Sequence, residues 1–166
     1  AKVWSQDSKH VGNVEKIFFD PRDNKATVYS GPTAGMAYAR LKRLRAAISR
    51  VVVLGPAHRV WVDGLAVSSA DAFATPLGPV PVDDELRRRA LVLPQVRIGD
   101  RAHADEHAIE VQLPFLQRVL GAFAILPLVV GDASGDEIAE VFEWVWGDQE
   151  TILVVSSDLS HYHDYD

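Results

Sequence analysis

Short, wholly apolar runs alternate with amphipathic stretches over most of the chain. The clearest apolar runs span residues 51–54, 123–130 and 152–155, and 65–68 is a weaker strand candidate. Runs of this kind are typical of parallel strands that are buried on both faces. Strands that alternate with helices predict a mostly parallel sheet with helices on both faces, so we expect an α/β fold.

Helical periodicity and capping signals mark the segments between these strands. Residues 83–91 begin with Asp83 as an N-cap candidate, and Ser134 stands three residues before Glu137, as in a capping box over 134–146. A further helix is predicted within 37–48, with its basic side exposed to solvent. We also expect a helix over 105–120, which Pro114 should kink or divide.

The first 30 residues have a different texture. Strand candidates at 14–19 and 26–29 flank a cluster of turn-forming residues at 20–25. This pattern predicts a β-hairpin with a longer loop. We therefore divide the chain into a hairpin segment, 1–30, and an α/β domain, 31–166.

Composition and charge narrow the classes of protein. The chain has 166 residues, of which 48% are hydrophobic, and a net charge of −6. A disordered chain is excluded, and the negative charge argues against a nucleic-acid partner.

No apolar run is long enough to span a membrane, and the polar first ten residues lack a secretory pattern, so we expect a cytoplasmic protein. The absence of cysteine excludes disulfides and thiolate metal sites. Oligomeric state does not follow from these features.

Candidate chemistry follows two of the predicted strands. His58 comes shortly after the apolar run at 51–54, and Asp158 and His161 follow the run at 152–155. In open α/β sheets, ligands bind beyond the carboxyl ends of the strands, so both loops should face one crevice. Imidazole binds metals and transfers protons near neutral pH, although either histidine could also serve a structural role in its loop.

A third cluster lies at 103–110. If this segment is helical, His103 neighbours His107, and His107 neighbours Glu110. Glu106 belongs to the same cluster. Metal ligation, a hydrogen-bonding pocket and a purely structural role all remain open, because the order differs from the His-Glu-x-x-His motif.

Two other functional classes have weaker support. Ser156, Ser157 and Ser160 lie near Asp158 and His161, which are the residue types of a nucleophilic hydrolase, but there is no Gly-x-Ser-x-Gly elbow. Residues 31–35 do not form a phosphate-binding loop, so we expect no nucleotide cofactor.

Four motifs in a fixed order give the chain a specific resemblance. They are Gly-Pro-Ala-His at 55–58, Thr-Pro-Leu-Gly at 75–78, Asp-Glu-His-Ala-Ile-Glu at 105–110 followed by Gln-Leu-Pro-Phe at 112–115, and Ser-Ser-Asp-Leu-Ser-His-Tyr at 156–162. From about residue 32 to 166 the chain resembles the Memo family, also called AmmeMemoRadiSam system protein B. That family is similar in fold to the class III extradiol dioxygenases, which use non-haem iron. The resemblance implies a dioxygenase-like fold with a metal-capable cleft.

The resemblance also assigns roles to individual residues. His58 matches a metal ligand, whereas Thr33 stands where the family has a ligand histidine in a Pro-His-Ala-Gly motif. The third family ligand lies in a C-terminal part without a counterpart in this sequence, so the fold is expected to be incomplete there. Asp158 and His161 match cleft-lining residues and are candidate replacement ligands.

The remaining residues of the cleft follow from the same resemblance. His107 matches the histidine of the family's Glu-His motif, and Glu106 and Glu110, like Thr33, are expected to line the cleft.

Two functions compete on this basis. The first is a metal-dependent oxidoreductase with dioxygenase-type chemistry, which would use iron or copper and proton transfer by His107 or His161. The second is a non-catalytic module that binds a peptide or small molecule, which the threonine at position 33 favours because a hydroxyl is a poor substitute for imidazole on a transition metal. The substrate and reaction do not follow from the sequence.

Overall fold

A seven-stranded mixed sheet forms the centre of the described chain. The structure, a computed structural model, describes residues 14–20, 25–30, 38, 41–104 and 106–157, with the backbone alone for 14–20, 25–30 and 157. The strands are β1 (Val14–Asp20), β2 (Lys25–Ser30), β3 (Arg50–Pro56), β4 (Leu65–Val67), β5 (Ala72–Phe73), β6 (Val80–Pro81), β7 (Val96–Ile98), β8 (Ala124–Val130) and β9 (Thr151–Ser157). The α-helices are α1 (Asp84–Ala90), α2 (Asp100–Ala104), α3 (Leu113–Val119) and α4 (Gly135–Val145).

The strand order of the sheet is β1-β2-β9-β3-β8-β4-β7. Its four central strands, β2, β9, β3 and β8, run parallel, whereas β1 and the β4–β7 pair oppose them. β5 and β6 form a separate two-stranded sheet. The prediction of a mostly parallel sheet is confirmed.

Each face of the sheet packs against helices. Successive side chains of β3 point to opposite faces and therefore enter two different cores. Val51 and Val53 pack into one core with Leu113 and Leu116 of the α3 region. Val52 and Leu54 pack into the other core, which contains Leu86 and Ala90 of α1 and Val141 and Val145 of α4. The four apolar residues at 51–54 are therefore all buried, as a central parallel strand requires.

Two helices begin where the capping signals predict. The Asp83 carboxylate accepts a hydrogen bond from the backbone N–H of Leu86 at the start of α1. Ser134 and Glu137 form the complete capping box at the start of α4. Each side chain satisfies a backbone donor that has no partner within its own helix.

The predicted helix over 105–120 is wrong in its first half. The structure has a 3-10 helix at Glu110–Gln112 and then α3, with Pro114 in its first turn. Proline fits there because the first backbone N–H groups of a helix have no acceptor within it. The helix α2 ends at Ala104, so His103 and His107 do not share one helical face.

The helix predicted within 37–48 ends earlier than the spacing of its apolar residues predicts. Tyr38 and Leu41 are helical, and a 3-10 helix at Lys42–Leu44 follows. Leu41 and Ile48 are buried in the core, and the neighbouring basic residues Lys42, Arg43 and Arg45 are exposed.

The predicted hairpin is confirmed and belongs to the central sheet. β1 and β2 pair antiparallel, and β2 pairs in parallel with β9. The division of the chain into domains at residue 31 stays a prediction. None of the helices in the described part of the chain is both long and apolar enough to cross a membrane.

His103 lies inside the core rather than at a candidate site. Its side chain is buried, its Nε2–H donates to the Ala66 carbonyl at 3.0 Å, and its ring meets Phe73 edge-on. Burial lowers the pKa of His103, and the hydrogen bond to Ala66 and the nearby Asp100 and Glu106 carboxylates only partly oppose that effect. The neutral ring is therefore the form that the fold stabilises.

We expect the folded protein to lose stability as pH falls below the ordinary histidine value of about 6.5, because burial lowers the pKa of His103 in the fold and the unfolded chain therefore takes up this proton first. In His103→Gln the amide can replace Nε2–H without titrating. Between pH 7 and pH 5, urea unfolding should show a loss about 1 kcal/mol smaller in this variant than in the parent. His107→Gln, at a more exposed histidine, is the control; an equal change in its pH dependence would contradict this assignment.

Candidate functional site

The parallel strands bring several predicted site segments to one edge of the sheet. β9 lies between β2 and β3, with Ser157 opposite Tyr29 and Val155 opposite Leu54. The carboxyl ends of these strands therefore lie side by side, where ligands bind in open α/β sheets. His58 follows β3 directly. Thr33, Asp158 and His161 follow β2 and β9 in sequence but lie outside the described residues.

His58 and Glu106 form the central contact of this edge. The Nδ1–H of His58 donates to Glu106 Oε1 at 3.0 Å, and the His58 backbone N–H donates to Oε2 at 2.8 Å. The Glu106 side chain is only 2% exposed, whereas that of His58 is 32% exposed. A buried carboxylate thus fixes the orientation of a partly exposed imidazole.

Glu106 is held in turn by its own loop. The backbone N–H groups of His107 and Ala108 donate to Oε1 at 2.9 and 3.1 Å. Burial raises the pKa of Glu106, but the hydrogen bonds from His58, Ala108 and His107 outweigh burial and leave the pKa below its usual range. The carboxylate is consequently ionised at neutral pH.

Gly55 allows this loop to reach His58. A Cβ atom on Gly55 would lie 2.8 Å from the Cβ of Ala108 and 3.2 Å from Ile109 Cγ1. The absence of a side chain at the end of β3 therefore lets the Glu106 loop pack directly against the strand. This contact gives a physical reason for the glycine in the Gly-Pro-Ala-His motif.

His107 adds a second imidazole beside the first. Its ring lies 5.9 Å from that of His58, centroid to centroid, with an interplanar angle of 22°. Its Nδ1 is 3.6 Å from Glu106 Oε1, so a protonated His107 would form an ion pair with the same carboxylate. Loss of solvent raises the pKa of the neighbouring Glu110, an effect that His107 opposes.

Gln112 connects this segment to the end of β9, a link that the sequence analysis missed. It is buried; its Oε1 accepts from Tyr38 Oη at 2.6 Å, and its Nε2–H donates to Ser156 Oγ at 3.0 Å. Burial also raises the pKa of Tyr38, so its hydroxyl stays protonated. In the sequence, Gln112 is distinguished only as the first residue of the Gln-Leu-Pro-Phe motif at 112–115.

The structure thus brings His58, Glu106 and His107 together and places Glu110 near them. Within 41–104 and 106–157, no three histidine, aspartate or glutamate side chains are arranged as a metal-binding group. Ser156 accepts a hydrogen bond from an amide, which is not a base that could activate it. The side chains of Ser157 and Ser160 lie outside the description.

These features define an α/β protein whose candidate site is a histidine–carboxylate cluster at the carboxyl edge of a parallel sheet. Residues 22–166 match the family model described as Memo-like protein. The chain therefore belongs to the Memo family, as its motifs indicate.

Relatives from distant organisms support this assignment. The chain is 41% identical over 140 residues to a MEMO1 family protein of Aquifex aeolicus, covering 81% of this chain and 51% of that protein. It is 34% identical over 171 residues to a MEMO1 family protein of Thermotoga neapolitana, covering 92% and 58%. It is also 34% identical over 140 residues to the Protein memo-1 homolog of Caenorhabditis elegans, covering 81% and 39%. The chain spans about half the length of the curated relatives it matches.

We expect Glu106→Gln to lower the free energy of unfolding at pH 7 by about 2 kcal/mol, because a buried charged acceptor of several hydrogen bonds is lost. The exposed Glu143→Gln is the control and should change stability by less than about 0.5 kcal/mol. Since the folded pKa of Glu106 is lowered, its contribution is complete above the ordinary pKa and is lost as pH falls through the folded value. Urea unfolding should therefore show the two proteins converging in stability at acidic pH; a gap that widens there would contradict the assignment.

Proposed function

We propose that the edge formed by β3 and β9 is a transition-metal site in which His58 is a ligand, and that it supports oxidoreductase chemistry on a small molecule. The observation that carries the proposal is the hydrogen bond between His58 Nδ1 and the buried Glu106 carboxylate. Metal-binding histidines almost always donate their second ring N–H to a carboxylate, a carbonyl or water.

The hydrogen bond also determines which ring nitrogen of His58 carries the proton. Glu106 is ionised and can only accept, so the neutral His58 carries its proton on Nδ1. Nε2 is then the ring nitrogen with the lone pair, and in this proposal it is the atom that would bind the metal. The contact with Glu106 gives His58 the fixed ring orientation that this role requires.

The other ligands in this proposal are Asp158 and His161. They follow β9, which pairs with β3, and Gln112 connects the end of β9 to the segment that contains Glu106. Two imidazoles and a carboxylate would suit a non-haem iron, and imidazole is also a ligand for copper. Thr33 would contribute little to such a site, so we expect weaker affinity than a histidine at this position would give.

A bound iron or copper would supply the redox step. His107 is 43% exposed, and its Nδ1 lies 3.6 Å from Glu106 Oε1. This position suits His107 to hold or transfer a proton at Nε2 or Nδ1, and His161 is the second candidate for that role. Loss of solvent raises the pKa of Glu110, which is a further carboxyl group near His107.

Metal titration of the purified chain tests the proposal. With Fe²⁺ and Cu²⁺ followed by calorimetry, we expect His58→Ala to abolish saturable binding and Glu106→Gln to weaken it by about 10- to 100-fold. His103→Gln, at a buried histidine outside the cluster, should bind metal like the parent. Parent protein that binds neither metal, or His58→Ala that binds as well as the parent, would contradict the proposal.

The alternative function is a non-catalytic module that binds a small molecule or a peptide at the same edge. The observation in its favour is an open groove directly beside His58. Thr33→His separates the two functions. A degraded or weak metal site should gain affinity at least tenfold from the added imidazole, whereas a chain that still binds no metal but retains a ligand in the groove would favour the binding module.

A further inference from the structure

A groove of about 390 Å³ extends from His58 along the loop that follows β3. It lies between this loop and the end of β8, and its volume suits a small molecule. The residues that line it include His58, Arg59, Trp61, Val62, Gly131 and Asp132.

The loop that forms one wall of the groove is held at both ends. The Ala57 N–H donates to the Val130 carbonyl at 2.8 Å, and the Asp132 N–H donates to the Val62 carbonyl at 2.7 Å. A Cβ atom on Gly131 would lie 2.0 Å from the carbonyl oxygen of Val62, so this close approach requires glycine. The groove is consequently preformed rather than dependent on a loop rearrangement.

Trp61 is the most unusual residue of this wall. Its side chain is 76% exposed, whereas the next residue, Val62, is buried. The hydrogen-bonded loop therefore exposes the large aromatic ring of Trp61 to water at the side of the groove. Aromatic side chains in such positions provide flat surfaces against which planar groups stack.

Arg59 supplies a positive charge on the same wall. It is exposed, and it forms no ion pair with any residue in the described parts of the chain. Its guanidinium can donate two parallel hydrogen bonds to a carboxylate. Asp132 is the acidic residue that also lines the groove, and it would repel an anion placed close to the β8 side. The favourable position for an anionic group is therefore on the Arg59 side.

We propose that this groove binds a small planar aromatic anion, with its ring against Trp61 and its anionic group toward Arg59. Such an anion is the ligand class that we assign to the proposed site. It would lie beside His58, and its binding requires no bound metal. Trp61 and Arg59 would act as specificity-determining residues, since they select a flat ring and a negative charge independently.

Binding of simple probes to the metal-free protein tests this inference. Benzoate, cyclohexanecarboxylate and benzamide share one size but differ in ring planarity or charge. Titrations followed by ¹H–¹⁵N spectra should show benzoate shifting the indole N–H of Trp61, which Trp61→Phe assigns. We expect benzoate to bind about fivefold more tightly than cyclohexanecarboxylate, and Trp61→Ala to remove this preference.

Matched variants separate the groove from general surface effects. Arg59→Gln should weaken benzoate about threefold and leave benzamide unchanged, while Arg118→Gln, at another exposed arginine, should change neither. Trp144→Ala removes a tryptophan that is 48% exposed on α4 and should leave benzoate binding intact. Equal binding of benzoate and cyclohexanecarboxylate, or shifts centred on Trp144 instead of Trp61, would overturn the inference.

The outcome is independent of the metal titration. Benzoate binding that depends on Trp61 in a protein without metal affinity would support the inference while the metal proposal fails. Metal binding through His58 without any preference for benzoate would support the metal proposal and contradict the inference about the groove.

Discussion

The buried Glu106 carboxylate is the group on which the organisation of the site depends. It is almost inaccessible to water, yet it must remain ionised, so its charge has to be balanced by hydrogen-bond donors within reach. The donors come from the His58 side chain and backbone and from two backbone N–H groups of its own loop. A single electrostatic requirement thus sets the orientation of His58 and the path of the loop at 106–108.

The parts of the fold that could be predicted from the sequence are those with a local cause. The run at 51–54 is buried on both faces, which leaves an apolar sequence without alternation. Asp83 and Ser134 each cap a helix through a backbone N–H three positions away, so their signals lie within a few residues. The position of His58 could also be predicted from a local signal. It follows an apolar strand, and the end of such a strand marks the edge of the sheet.

The contacts within the candidate site could not be predicted, because they join segments that are distant in the sequence. His58 and Glu106 are 48 positions apart, and Gln112 and Ser156 are 44 apart, so spacing along the chain contains no signal for either pair. Local spacing was misleading at 103–110, where helical periodicity linked His103 with His107. In the structure His103 points into the core, the helix ends at Ala104, and Glu106 contacts His58. Both contacts are tertiary, and the local spacing contains no signal for them.

One segment supports both strand ends that the proposed site requires. Residues 106–112 hold His58 through Glu106 and hold the end of β9 through Gln112, while Ala108 packs against Gly55 at the end of β3. A change in this segment would therefore move groups on both strands together rather than one at a time. The groove beside Trp61 is supported differently, by backbone hydrogen bonds to the end of β8. The shape of the groove and the orientation of His58 consequently depend on separate contacts, and His58 belongs to both the groove and the cluster with Glu106.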